Sequence, residues 1–168
     1  MRSFKSLSGV AAGVLLAMAG GAQAATTPAQ FTVTANVTAN CLVSTTNMNL
    51  GTFNGVGNLT GTADINVRCT DNVGYTVALD VGTGGGNIAT GRLLDGPGAE
   101  TLTYNLYSDP AHTIIWGSAL ADRVPGTGTG LALANEFTHQ VHGQLLAAGN
   151  EGAAVGAYTS TIGVTVEY

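Results

Sequence analysis

From residue 31 to the last position, apolar side chains recur mainly at every second place. Phe31, Val33, Ala35, Val37 and Ala39 alternate with Thr32, Thr34, Asn36, Thr38 and Asn40. Ile65, Val67 and Cys69 alternate with Asn66 and Arg68, and Tyr75, Val77, Leu79 and Val81 form a third run. Leu102, Tyr104, Leu106 and Tyr107 fall in a fourth, and Phe137, His139, Val141 and Gly143 share one face of a fifth. Ile162, Val164, Val166 and Tyr168 alternate with Thr161, Gly163, Thr165 and Glu167 up to the end. A period of two marks a pleated strand with one face buried, and the abundance of Val, Thr, Tyr and Ile suits such a surface. Turn formers separate the runs: Asn54-Gly55, Asp71-Asn72, Asp95-Gly96-Pro97-Gly98, Asp109-Pro110, and the glycine-rich stretches 82–87 and 126–130. No window beyond residue 24 has the pattern of an amphipathic helix. The expectation is a single all-β domain, an antiparallel sandwich.

The first 24 residues depart from this pattern. Arg2 and Lys5 precede an apolar stretch from Val10 to Ala19, and Ala22-Gln23-Ala24 follows. That order is the layout of a secretory signal peptide, with cleavage expected after Ala24. The apolar run, roughly 10 residues, is too short to span a bilayer. Residues 25–168 then keep Arg68, Arg92 and Arg123, no lysine, and all ten of the acidic residues. An acidic surface without lysine argues against binding nucleic acid or anionic lipid. Charged residues make up only 9% of the chain, against about a quarter in an ordinary domain. Thr, Asn, Ser and Gly supply the polarity instead, a surface suited to packing against copies of itself. Export also bears on Cys41 and Cys69: in an oxidising compartment a disulfide is the default. It would close a loop of about 28 residues and contribute about 3–4 kcal/mol. Two free thiols or half of a metal site are the alternatives.

Chemistry-bearing motifs are absent. Gly82-Thr83-Gly84-Gly85-Gly86-Asn87 and Gly126-Thr127-Gly128-Thr129-Gly130-Leu131 both fail the dinucleotide pattern at the sixth position. His139 and His142 stand three apart, so a strand sends them to opposite faces and they cannot chelate one ion. His112 is distant from both in sequence. No Gly-x-Ser-x-Gly is present, and the aspartates cluster at turns. Trp116 reads as a core residue more readily than as a ligand platform. No catalytic residue, metal site or cofactor is expected.

An ordered set of segments carries a family likeness. These are Phe31-Thr32-Val33 up to Cys41, Met48-Asn49-Leu50-Gly51-Thr52-Phe53, and Ile65-Asn66-Val67-Arg68-Cys69-Thr70. Leu102-Thr103-Tyr104-Asn105-Leu106-Tyr107-Ser108-Asp109 follows, then Trp116-Gly117, and finally Gly156-Ala157-Tyr158 leading into Val164-Thr165-Val166-Glu167-Tyr168. Together they resemble the spore coat protein U domain family, which includes subunits of archaic chaperone–usher pili. Glycine follows Leu50 directly, a departure from the family's leucine-phenylalanine-glycine order. The resemblance implies an incomplete immunoglobulin-like sandwich with an N-terminal donor strand. Residues 1–24 would be the signal peptide, 25–40 the donor segment and 41–168 the sandwich. It further implies a structural pilus or fimbria subunit, passing through the periplasm to the cell surface. Its partners would be a periplasmic chaperone, an outer-membrane usher and neighbouring copies of itself. Phe31, Val33, Ala35 and Val37 would fill a neighbour's groove. Ile162, Val164, Val166 and Tyr168 would form the groove-edge strand that the chaperone grips. A run that ends in mid-strand at Tyr168 carries the same expectation, of a sheet neighbour supplied from elsewhere. The alternative is a secreted coat or matrix protein that completes its own fold.

Overall fold

The computed structural model describes residues 24–168. Almost all of the expected signal peptide, residues 1–23, lies outside the described residues. The chain divides into two units, one ending at Ala35 and the other spanning Asn36–Tyr168. Residues 24–40 take no helix or strand conformation, although Phe31 to Val37 alternate as a strand would. A lone strand cannot satisfy its own backbone hydrogen bonds and needs a neighbour.

The second unit holds nine strands: β1 Cys41–Thr45, β2 Leu59–Cys69, β3 Gly74–Leu79, β4 Gly86–Asn87, β5 Gly91–Asp95, β6 Thr101–Tyr107, β7 Val124–Thr127, β8 Phe137–Leu145 and β9 Val164–Glu167. They form two sheets, a six-stranded one ordered β1-β2-β8-β6-β5-β4 and a three-stranded one ordered β7-β3-β9. Every pairing is antiparallel. The all-β antiparallel class read from the period of two is therefore the class observed.

The alternating positions explain the core. Ile65, Val67 and Cys69 of β2 meet Tyr75, Val77 and Leu79 of β3, with Leu102, Tyr104 and Leu106 of β6 and Val141 and Leu145 of β8. Trp116 is buried among them and donates its indole N–H to the carbonyl of Val77 at 2.9 Å. Cys41 and Cys69 face each other in the β1–β2 register and are disulfide-bonded. The chain before β1 is tied to the same corner. Asn40 donates to Thr70 Oγ1 at 3.0 Å, and Thr70 N–H donates to the carbonyl of Asn40 at 2.9 Å.

Strands β1, β4, β5 and β7 were not foreseen, nor was the early start of β2. Strand β2 begins six residues before Ile65, because small inward residues, Gly61 and Ala63, blur its alternation. Strand β5 carries Arg92 inward. Its guanidinium is fully buried and donates to the carbonyls of Asp80 at 3.0 Å and Trp116 at 2.6 Å and to Asn105 Oδ1 at 2.6 Å. Burial lowers its pKa, while the fields of Tyr104 and Asp80 favour the charge.

His139 is another buried ionisable group in the core. It lies opposite Ile65, with Nε2 at 3.0 Å from Tyr75 Oη, and burial lowers its pKa. The folded-state value therefore sits below the unfolded one, about 6.5. Stability from the neutral ring is complete above that pH and is lost as the pH falls through it, at up to about 1.4 kcal/mol per pH unit. Urea unfolding between pH 7.5 and 5.5 should show this decline, and His139→Gln should flatten it.

Candidate binding groove

Two strands have a free edge where the sheets part, β1 in the large sheet and β9 in the small one. The segments that adjoin them, residues 45–55 and 153–164, line two cavities of about 640 and 500 Å³. The larger is lined by Leu59, Leu94, Leu102 and Leu145 together with Phe53 and Tyr158. The smaller is lined by Ile65, Leu79, Tyr104, Leu106, Val141, Ile162 and Val164. Met48, Leu50, Leu94, Thr159 and Ser160 belong to both. The result is one trough with polar residues along its walls and an apolar floor, the core of the sandwich itself.

The C-terminal wall is held from one side only. Thr159 and Asp95 exchange two backbone hydrogen bonds of 2.9 Å. Thr83 N–H donates to the carbonyl of Thr161 at 3.0 Å, and Thr161 N–H to Thr83 Oγ1 at 2.9 Å. Asp80 N–H donates to the carbonyl of Gly163 at 3.1 Å, while Gly163 N–H donates to Asp80 Oδ1 at 2.8 Å. In an antiparallel ladder the bonding direction alternates residue by residue. Thr159 bonds to Asp95, and Thr161 and Gly163 bond to segment 80–83; by this alternation Ser160, Ile162 and Val164 aim their backbone groups away from those partners, toward the trough. This wall thus offers a row of donors and acceptors above an apolar floor. An extended peptide with one apolar face meets both demands.

The opposite wall is formed by the chain after β1. Thr46 N–H donates to the carbonyl of Asp64 at 2.9 Å, and Asp64 N–H donates to Thr46 Oγ1 at 2.8 Å. Beyond it the chain turns inward, and Met48 and Leu50 settle on paired Gly61 and Gly143. A methyl group on Gly143 would collide with the Met48 sulfur, and one on Gly61 would meet the Asn49 carbonyl oxygen at 2.6 Å. Gly61, which faces backbone, is needed for the wall to lie this close, whereas at Gly143 the flexible Met48 side chain would have to move.

Of the residues singled out from the sequence, Ile162 and Val164 line the smaller cavity. Val166 is half-buried in β9 and packs against the core, whereas Tyr168 is exposed. Phe31, Val33 and Val37 are 89%, 80% and 86% exposed, and Ala35 is exposed as well. The wall formed by Met48, Leu50 and Phe53 escaped the sequence reading as groove residues. The signal available was the pair of glycines at inward positions, which only the strand register reveals. The structure also brings His112 beside His142, with ring centroids 6.2 Å apart, although His112 is far away in sequence. Among the described residues no cluster of three or more His, Cys, Asp or Glu side chains is placed to hold a metal ion. No helix among them is long and apolar enough to cross a membrane.

Comparisons with known proteins bear on this arrangement. The family model of the Spore Coat Protein U domain matches residues 27–165. No curated protein matches the chain. Among solved structures, the chain is similar to one in the CsuC-CsuE chaperone-tip adhesion subunit pre-assembly complex, from archaic chaperone-usher Csu pili of Acinetobacter baumannii. The TM-score is 0.54 at 19% sequence identity, over 79% of this chain and 40% of that chain. The chain thus spans less than half of that neighbour's length, and at this identity the likeness is one of fold.

Proposed function

The chain belongs to the Spore Coat Protein U domain family, and from that membership we infer that it is a structural subunit of a bacterial surface pilus that assembles by donor-strand exchange. The observation that carries this reading is the trough with an apolar floor between the free edges of β1 and β9. Segment 31–37 of a second copy has the matching form, an extended run with Phe31, Val33, Ala35 and Val37 on one face. Burying its three larger side chains would contribute about 5–9 kcal/mol, at about 1.5–3 kcal/mol each. That is comparable with the net stability of a whole domain.

Such a trough needs a temporary occupant before assembly. A periplasmic chaperone serves this role by laying a strand along the edge of Ile162, Val164 and Val166, and an outer-membrane usher is where a neighbour's segment replaces it. Export to the periplasm through residues 1–24 precedes both steps, and the surface fibre is the end point. The fold neighbour's description, a chaperone with a pilus subunit, supports these partners by analogy. The protein acts as a building block with no catalytic step.

Deleting residues 25–38 tests the assignment. The shortened protein should still be recovered with its chaperone and should form no fibres. Fibres of normal length from the deleted protein would overturn the donor role. A stable, soluble monomer from the intact exported chain without any chaperone would favour a self-contained coat protein instead.

A further inference from the structure

The trough is not uniform. Its two cavities meet where Met48 and Leu50 stand on the Gly61–Gly143 pair, opposite Thr159 and Ser160. These side chains cover the glycine pair and border both cavities, and so form a sill where the two compartments meet. A strand laid along the trough has room for large side chains on either side of the sill and for a small one above it.

Segment 31–37 carries that pattern. Along its apolar face the order is Phe31, Val33, Ala35, Val37, three large residues with a single methyl at the third place. Successive places on one face of a strand are about 6.6 Å apart. Ala35 over the sill sets Val33 and Val37 one step to either side, inside the two compartments. Antiparallel pairing with the 159–164 wall, the more stable direction, sends Phe31 and Val33 to the smaller cavity beside Ile162 and Val164. Val37 then enters the larger one beside Tyr158.

We propose that Ala35 is the register-setting and specificity-determining residue of the donor segment, and that its match to the Met48–Leu50 sill makes this chain's segment complementary to the groove of another copy of the same chain. The proposal rests on the donor-strand reading above and deepens it. It makes the chain a subunit that succeeds itself in the fibre, and it excludes donor segments with a large residue at the place of Ala35.

Polymer yield from the full exported chain tests this with three variants. Ala35→Leu should lower the yield at least tenfold, because the added side chain strikes the sill. Val37→Phe, an enlargement at least as great but over a cavity, should stay within twofold of the wild type. Val33→Asp should stop assembly whatever the register. If Ala35→Leu assembles like the wild type while Val33→Asp does not, the register is overturned and the donor reading stands. If Val33→Asp also assembles, the donor reading itself fails. A direct readout comes from cysteine pairs in the assembled polymer. Ala35→Cys with Met48→Cys should give an intermolecular disulfide ladder on a non-reducing gel. A ladder only when Met48→Cys is combined with Val33→Cys or Val37→Cys would place another residue over the sill and overturn the proposal.

Discussion

Aspartate in place of Val33 is expected to leave the sandwich as stable as the wild type and to abolish fibre formation. Val33 is 80% exposed, and exposed substitutions of this kind usually change stability by less than about 0.5 kcal/mol. On the donor-strand reading, a neighbour's trough sees the change differently. It loses the burial of a valine, about 1.5–3 kcal/mol, and must accept a carboxylate facing an apolar floor, a penalty of several kcal/mol more. A total near 5 kcal/mol weakens the subunit–subunit contact by at least about a thousandfold, since 1.4 kcal/mol is a factor of ten. Electron microscopy of cells carrying the variant, with thermal unfolding of the purified subunit–chaperone complex, checks both halves. Normal fibres from Val33→Asp, or a collapse of subunit stability, would contradict the expectation.

The second large effect lies in the core. Arg92→Met keeps only the unbranched stem of the side chain and removes three hydrogen bonds from a fully buried site. The carbonyls of Asp80 and Trp116 and the amide oxygen of Asn105 are left without that donor. The expected loss is about 3–5 kcal/mol, in the range of breaking a buried charged network, and a fall in melting temperature of roughly 10 °C or more. The damage should reach the groove. Arg92 holds the Asp80 backbone, and the Asp80 carboxylate holds the N–H groups of Gly82 and Gly163, each at 2.8 Å. Gly163 belongs to the wall of the trough. Hydrogen exchange at residues 159–164 should therefore accelerate in the variant. A loss below about 1 kcal/mol would mean that water reaches the three oxygens.

Much of this fold is legible from alternation alone. The inward faces of β3, β6, β8 and β9 follow the period of two read along the chain, and Trp116 lies in the core as its composition suggests. The misses have physical reasons. Gly61 and Ala63 in β2 are small inward residues and give no hydrophobic signal. Arg92 in β5 reads as a surface charge, because burial of an arginine depends on carbonyls that arrive from two other segments. The groove is harder still. Ile162 and Val164 stand out in the sequence by alternation, but the packing of Met48 and Leu50 opposite them depends on Gly61 and Gly143 meeting across β2 and β8. Segment 31–37 shows the reverse case: its sequence reads as a strand, yet it takes none here, because a strand is a property of a pair.

The tie between Cys41 and Cys69 has a mechanical meaning for a fibre that is pulled. On the donor-strand reading, load arriving along residues 31–40 would enter the sandwich at Cys41, the first residue of an edge strand. An edge strand loaded at its end would peel away one hydrogen bond at a time. The disulfide passes the force across to β2, which is clamped between β1 and β8 along its length. Tension then acts in shear on many bonds at once, so stretched fibres should yield at the junctions between subunits before any sandwich unravels.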